Sequence, residues 1–86
     1  MIKPTIGRIV LFWHTKTQSK PFSAIITDVH SDININICYF THNGYPRPKE
    51  NVYLWDGTLI DGIKPGWPFA EWMEYQLKVA KEKETQ

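Results

Sequence analysis

Residues able to do covalent or metal chemistry are few here, and their spacing does not bring them together. The one thiol, Cys38, sits within an apolar run and lacks the sharp turn that exposes a nucleophile. An activated cysteine needs a base within hydrogen-bond reach. His42 falls on the same side of an extended strand as Cys38, but four residues along it, too far for a direct pair. Packing is the expected role, because cysteine is among the most buried residue types. His30-Ser31-Asp32 places two ligand types on one side of an extended segment, and His14 or His42 would have to complete a set. That spacing matches no standard zinc or iron pattern. The expectation is that the His30 ring caps a turn while Asp32 accepts backbone N–H groups. Gly57, Gly62 and Gly66 are spread through a loop without a Lys-Ser/Thr partner, so no phosphate cradle is expected. Asp28, Asp32, Asp56 and Asp61 fit turn positions better than a catalytic carboxylate pair. Neither a catalytic set nor a cofactor or metal site is expected, which disfavours an enzyme.

Binding chemistry is better represented. Trp13, Tyr45, Tyr53, Trp55, Trp67 and Trp72 exceed what so small a core can hold, and several fall at strand ends or in loops. Exposed rings beside cations such as Lys16, Arg47 and Lys49 make stacking platforms or protein hot spots. Asn34 and Asn36 offer amides for base edges. The expected ligand site is therefore Trp13, His14, Asn34, Asn36, Tyr45, Arg47 and Trp55. The competing explanation is that these rings lid the ends of a short barrel.

Positioning those residues falls to a single domain, expected over residues 1–80 with a charged tail at 81–86. A chain of 86 residues has a thin core, and an aromatic share of 14% lets that core bury more per side chain. The net charge of +1 argues against a dedicated nucleic-acid domain and equally against an acidic DNA mimic. One cysteine permits neither an intramolecular disulfide nor a Cys-based zinc site. No apolar stretch has the length of a signal peptide or a membrane span, so the expected location is cytoplasmic.

Ile9-Val10-Leu11-Phe12-Trp13 is a short β-branched and aromatic run, hence a strand, and a second strand is expected within Phe22–Val29. Ile33-Asn34-Ile35-Asn36-Ile37 alternates with period two, which points Ile33, Ile35, Ile37 and Tyr39 inward and the asparagines outward. Asn43-Gly44 predicts a type I′ hairpin turn. Arg47-Pro48-Lys49-Glu50 extends that loop, because proline cannot donate to a ladder. Val52-Tyr53-Leu54-Trp55 is a fourth strand, and glycines and prolines then break the chain up to residue 68. Residues 69–77 fit both a helical and an alternating pattern. The expectation is a short strand near residues 70–76, then a charged Lys81-Glu82-Lys83-Glu84 segment that is helical or frayed. The fold class is thus mainly β: a small SH3-like, alternatively OB-like, antiparallel barrel of about five short strands with room for a short C-terminal helix.

Three stretches carry a resemblance: Pro4-Thr5-Ile6-Gly7-Arg8-Ile9-Val10, Ala24-Ile25-Ile26-Thr27-Asp28-Val29-His30-Ser31-Asp32, and Asn36-Ile37-Cys38-Tyr39-Phe40 up to Gly44. They resemble a family of small accessory proteins of tailed bacteriophages and prophages whose pattern runs PTxGRIV, AAIVTxVHSD with VNLxVF, and WMPYQ. Here the close reads Trp72-Met73-Glu74-Tyr75-Gln76, with Glu74 where the pattern has proline. A proline there is expected to oppose a helix, which adds weight to the strand. The resemblance implies a phage origin and a compact accessory role in the host cytoplasm, and it brings no catalytic residue. Together these readings favour a non-catalytic counter-defence module that sequesters a small nucleotide signal or occludes a host protein, with a homo-oligomer expected for the first. A nucleic-acid-binding barrel and a virion assembly protein that pairs by its sheet edges are the alternatives.

Overall fold

The apolar periodicity sets the strands, and the turn residues set their order. The computed structural model describes residues 2–84, with side-chain surroundings as far as Val79. Five strands form: β1 (Ile9–Trp13), β2 (Phe22–Ser31), β3 (Asn34–Phe40), β4 (Pro46–Trp55) and β5 (Phe69–Glu71). A helix, α1 (Glu74–Glu84), follows. The strands close into a barrel in chain order. That makes it a small barrel of the SH3/OB-like kind, with strands neighbouring in chain order.

The barrel is mixed, which corrects the all-antiparallel expectation. β1 pairs antiparallel with both β2 and β5, and β2–β3 and β3–β4 are antiparallel as well. β4 and β5 are parallel. The reason is parity. Alternating directions make β4 antiparallel to β1, and β5 must also be antiparallel to β1 to close on it.

The core follows the inward positions. Val10 and Phe12, Ala24 and Ile26, Ile35 and Ile37, Val52 and Leu54, and Ala70 are all buried, and Trp72 seals them from just beyond β5. Large side chains face small ones across the ladder: Phe12 lies opposite Ala70, and Val10 opposite Ala24. This interdigitation lets a narrow barrel reach interior packing density.

Several local expectations change. Ile33 is 55% exposed, because the β2–β3 turn occupies Asp32 and Ile33 and β3 starts one residue later. The Asn43-Gly44 turn is not type I′: only Gly44 has positive φ, 88°, and its N–H donates to the Thr41 carbonyl. Pro46 to Glu50 belong to β4 rather than a loop. This half of β4 has a partner only on the β3 side, so two missing N–H groups are tolerated. The expected strand over 70–76 is instead a three-residue strand followed by a helix. Met73 is the N-cap; the side-chain Oε1 of Gln76 accepts the Met73 N–H at 2.8 Å, and the Met73 carbonyl accepts from Gln76 and Leu77. This is the reciprocal half of a capping box. Glu74 is then the first helical residue, a position where proline is favoured, so the inference from the WMPYQ pattern to a strand was physically mistaken. The helix crosses the expected boundary at residue 80, and residues 85 and 86 lie outside those described.

Replacing Phe12 by Ala should lower the free energy of urea unfolding by about 3–5 kcal/mol, because it opens a cavity beside Ala70 that cannot collapse. Ile9→Ala, at a side chain 38% exposed, should cost less than about 1 kcal/mol in the same measurement.

Candidate functional site

β4 ends at Trp55, and the chain needs residues 56–68 to reach β5 running in the same direction. The start of that loop is fixed by local polar groups. Asp56 Oδ1 accepts the Thr58 N–H at 2.8 Å, and the Thr58 carbonyl accepts the Trp55 indole N–H at 2.7 Å. Gly57 between them has φ 94°. The loop therefore folds back over the edge of the indole.

Further along, Ile60 and Ile63 exchange two backbone hydrogen bonds of 3.2 and 3.0 Å. Asp61 and Gly62 between them have φ of 54° and 75°. Two consecutive positive φ angles define a type I′ turn, for which Asp-Gly is a preferred pair. The result is a miniature hairpin whose two isoleucines stand 71% and 69% exposed.

This hairpin and the outer face of β4 enclose a cleft of about 410 Å³, lined by Tyr53, Trp55, Thr58, Ile60, Asp61, Ile63, Lys64 and Pro65. The Lys64 ammonium lies 5.8 Å from the centre of the Trp55 ring, within cation–π range. The cleft thus combines apolar walls with one cation, one carboxylate and the two hydroxyl-bearing side chains Tyr53 and Thr58. Trp55 itself meets Phe69 edge-on, with ring centres 5.8 Å apart, and Trp67 leans on Phe69 from outside.

Strand register ties other residues to this face. Trp13, Phe69, Tyr53 and Asn34 stand opposite one another on β1, β5, β4 and β3, so one row crosses four strands on the outer surface. Neighbouring strands are about 4.8 Å apart, which puts Asn34 directly beside the Tyr53 wall. Asn34 Oδ1 is buried and has no hydrogen-bond partner among the described residues. Trp13 donates its indole N–H to Glu71 Oε1 at 3.0 Å.

The seven residues expected to bind ligand are therefore divided. Trp55 lines the cleft, Asn34 adjoins it, and Trp13 lies farther along the same row. Asn36 is occupied in the fold. Its Oδ1 accepts the Asn51 N–H at 3.0 Å and lies 2.9 Å from His30 Nε2. Asn51 has φ 55° in the bulge that lets two β4 residues face Asn36, so the amide covers the extra N–H. His14 belongs to a ring cluster at the mouth of the barrel. It stacks on Tyr39 at 5.8 Å, and Phe22 stacks on Tyr39 at 5.3 Å. Tyr45 and Arg47 are exposed at the far end of β4. At roughly 3.3 Å per residue, Tyr45 is on the order of 30 Å from Trp55 along the strand.

The aromatic surplus is smaller than expected. Trp55 and Trp72 are buried, Trp13 is half-buried, and Tyr45, Tyr53 and Trp67 remain exposed. Arg8 covers one face of Trp72. The residues missed from sequence are Ile60, Ile63 and Lys64; Asp61-Gly62 between two isoleucines was the available signal. His30 pairs with Asn36 instead of capping a turn, and Asp28 rather than Asp32 accepts a backbone N–H, from Val29. Among the described residues, no three His, Cys, Asp or Glu side chains come together to hold a metal ion, and no helix is long and apolar enough to cross a membrane.

Two substitutions separate structure from surface here. Asn36→Ala should destabilise the fold by about 0.5–1.5 kcal/mol by removing the hydrogen bond to the Asn51 N–H, whereas Tyr45→Ala should change unfolding by less than about 0.5 kcal/mol. The Thr58 N–H, then the Thr58 hydroxyl, hold the Asp56 carboxyl below its ordinary value against a small opposing effect of burial. A depressed folded pKa contributes stability above the unfolded pKa and loses it as pH falls through the folded one. NMR titration should place the Asp56 midpoint below 3.8, and Asp56→Asn should remove that part of the acid sensitivity.

Compared with protein-family models, curated proteins and solved structures, the chain matches none of them.

Proposed function

We propose that this chain is a non-catalytic binding module that holds a small anionic ligand with a planar ring, of the nucleotide signal class, in the cleft between Tyr53, Trp55 and the Ile60–Ile63 hairpin. The observation that carries this reading is the pairing of an indole with the Lys64 ammonium at the wall of an open apolar cleft. A volume of about 410 Å³ lies in the range of small-molecule sites. A base slots between Tyr53 and the isoleucines, and Lys64 faces the phosphate. The phage resemblance supplies the setting: sequestration of a defence signal inside an infected host cell.

Occlusion of a host protein is the second reading, favoured by the exposure of Ile60 and Ile63. Virion assembly through sheet edges is less well supported. The half of β4 that pairs only on its β3 side carries Pro46 and Pro48 and ends in the Asn51 bulge. The free end of β2 is bulged too, with Asp28 accepting the Val29 N–H. Prolines and bulges are what blunt an edge against pairing.

Calorimetric titration with mononucleotides and with cyclic di- and trinucleotides should give saturable binding to at least one, with quenching of tryptophan fluorescence. Lys64→Ala should weaken it about tenfold or more, the equivalent of roughly 1.4 kcal/mol. A silent titration across the panel, or binding unaffected by Lys64→Ala, overturns the proposal.

A further inference from the structure

The outer surface of the 56–68 loop carries more apolar area than the cleft uses. Leu59, Ile60, Ile63 and Trp67 are all exposed, and Tyr53 is open beside them. A small ligand between Tyr53 and the inner sides of the isoleucines leaves most of that surface in water. Contiguous apolar patches above a few hundred Å² on a soluble chain mark an interaction surface.

We infer that the loop face is the contact between two copies of this chain, with each Ile60–Ile63 hairpin lying across the mouth of the other copy's cleft. The area fits such a pairing. The five side chains expose on the order of 600 Å² per copy, so a twofold contact that covers them fully hides at most on the order of 1,200 Å² from them, the lower end of specific interfaces. The same patch meets itself about a twofold axis, which is the commonest symmetry of small oligomers. The type I′ turn holds both isoleucines in place before association, so little ordering entropy is lost on docking. Sheet-to-sheet association is the other general route for a β protein, and the prolines and bulges on both free edges oppose it.

The pairing also completes the cleft. Alone, each cleft is open to solvent and holds one cation, Lys64. With a partner hairpin across its mouth, water is excluded and the charges of both Lys64 and Asp61 act more strongly on what the cleft holds. The partner copy therefore contributes Ile60 and Ile63 to a site that one chain leaves half-walled.

The test is light scattering after size exclusion over two decades of protein concentration, with no ligand added. The wild-type chain should approach a mass of twice 10.1 kDa. The Ile60→Asp/Ile63→Asp variant should remain at the monomer mass with an unchanged amide spectrum, since both side chains are exposed and outside the core. In a mixture of isotope-labelled and unlabelled wild-type chains, intermolecular NOEs should arise from the Ile60 and Ile63 methyls. A wild-type chain monomeric throughout overturns the inference. So does a variant that still dimerises, or a dimer whose intermolecular NOEs avoid the loop. The association is read without ligand, so it can fail while nucleotide binding succeeds, or the reverse.

Discussion

A barrel made from an odd number of strands in chain order cannot be antiparallel all the way round. β1 through β4 alternate in direction, and β5 can hydrogen-bond antiparallel to β1 only by running alongside β4 in the same sense. Parallel neighbours cannot be joined by a tight turn, so the chain must double back after Trp55 and re-enter with Phe69 beside Tyr53. Every feature of the candidate site follows from that obligation. The connection passes over the outer face of β4, where it covers Trp55, folds its own hairpin at Ile60–Ile63, and leaves a cleft beneath. Had the barrel closed with an even strand count, a two-residue turn would have sufficed and this face would be bare sheet.

The second constraint is that a thin core leaves many backbone groups near its surface, and side chains must satisfy them. Asn36 covers the bulge at Asn51, Gln76 caps the first turn of α1 and also reaches the Ile9 carbonyl, and Asp56 with Thr58 pins the loop to Trp55. These polar residues look like ligand-binding groups in a sequence, but their hydrogen bonds are already taken. Asn34 differs because its oxygen has no such partner, and it stands next to the cleft wall. Two asparagines two residues apart on one strand thus differ in hydrogen bonding among the described residues, decided by what the neighbouring strand presents.

How far the sequence could be read depended on whether a feature was local. Period-two alternation placed Ile35 and Ile37 in the core, and β-branched runs located β1 and β3 closely, since both signals are confined to one strand. Ile33 carried the same signal and fell outside because the turn claimed it. The parallel closure and the row Trp13–Phe69–Tyr53–Asn34 were invisible, because register between strands distant in sequence has no local signature. The helix was a different kind of failure. Met73 and Gln76 stand at capping spacing in the sequence, and a proline at the position of Glu74, as in the resembling pattern, fits the first helical position rather than breaking a helix. At the site, residue type singles out Trp55, Tyr45 and Arg47 alike, but the extended β4 strand sets Tyr45 and Arg47 at its far end from Trp55.

The cleft exists only if the loop from Asp56 to Pro68 is an ordered platform rather than a slack connection. The direct measurement is backbone dynamics by ¹⁵N relaxation, with cross-strand NOEs recorded between residues 60 and 63. Ordered heteronuclear values through the loop, matching those of β4, together with contacts across the Asp61-Gly62 turn, are what the geometry demands. Fast internal motion from residue 58 to 66, with no contact between the two isoleucine backbones, would leave no cleft and no surface for a ligand or a second copy to meet.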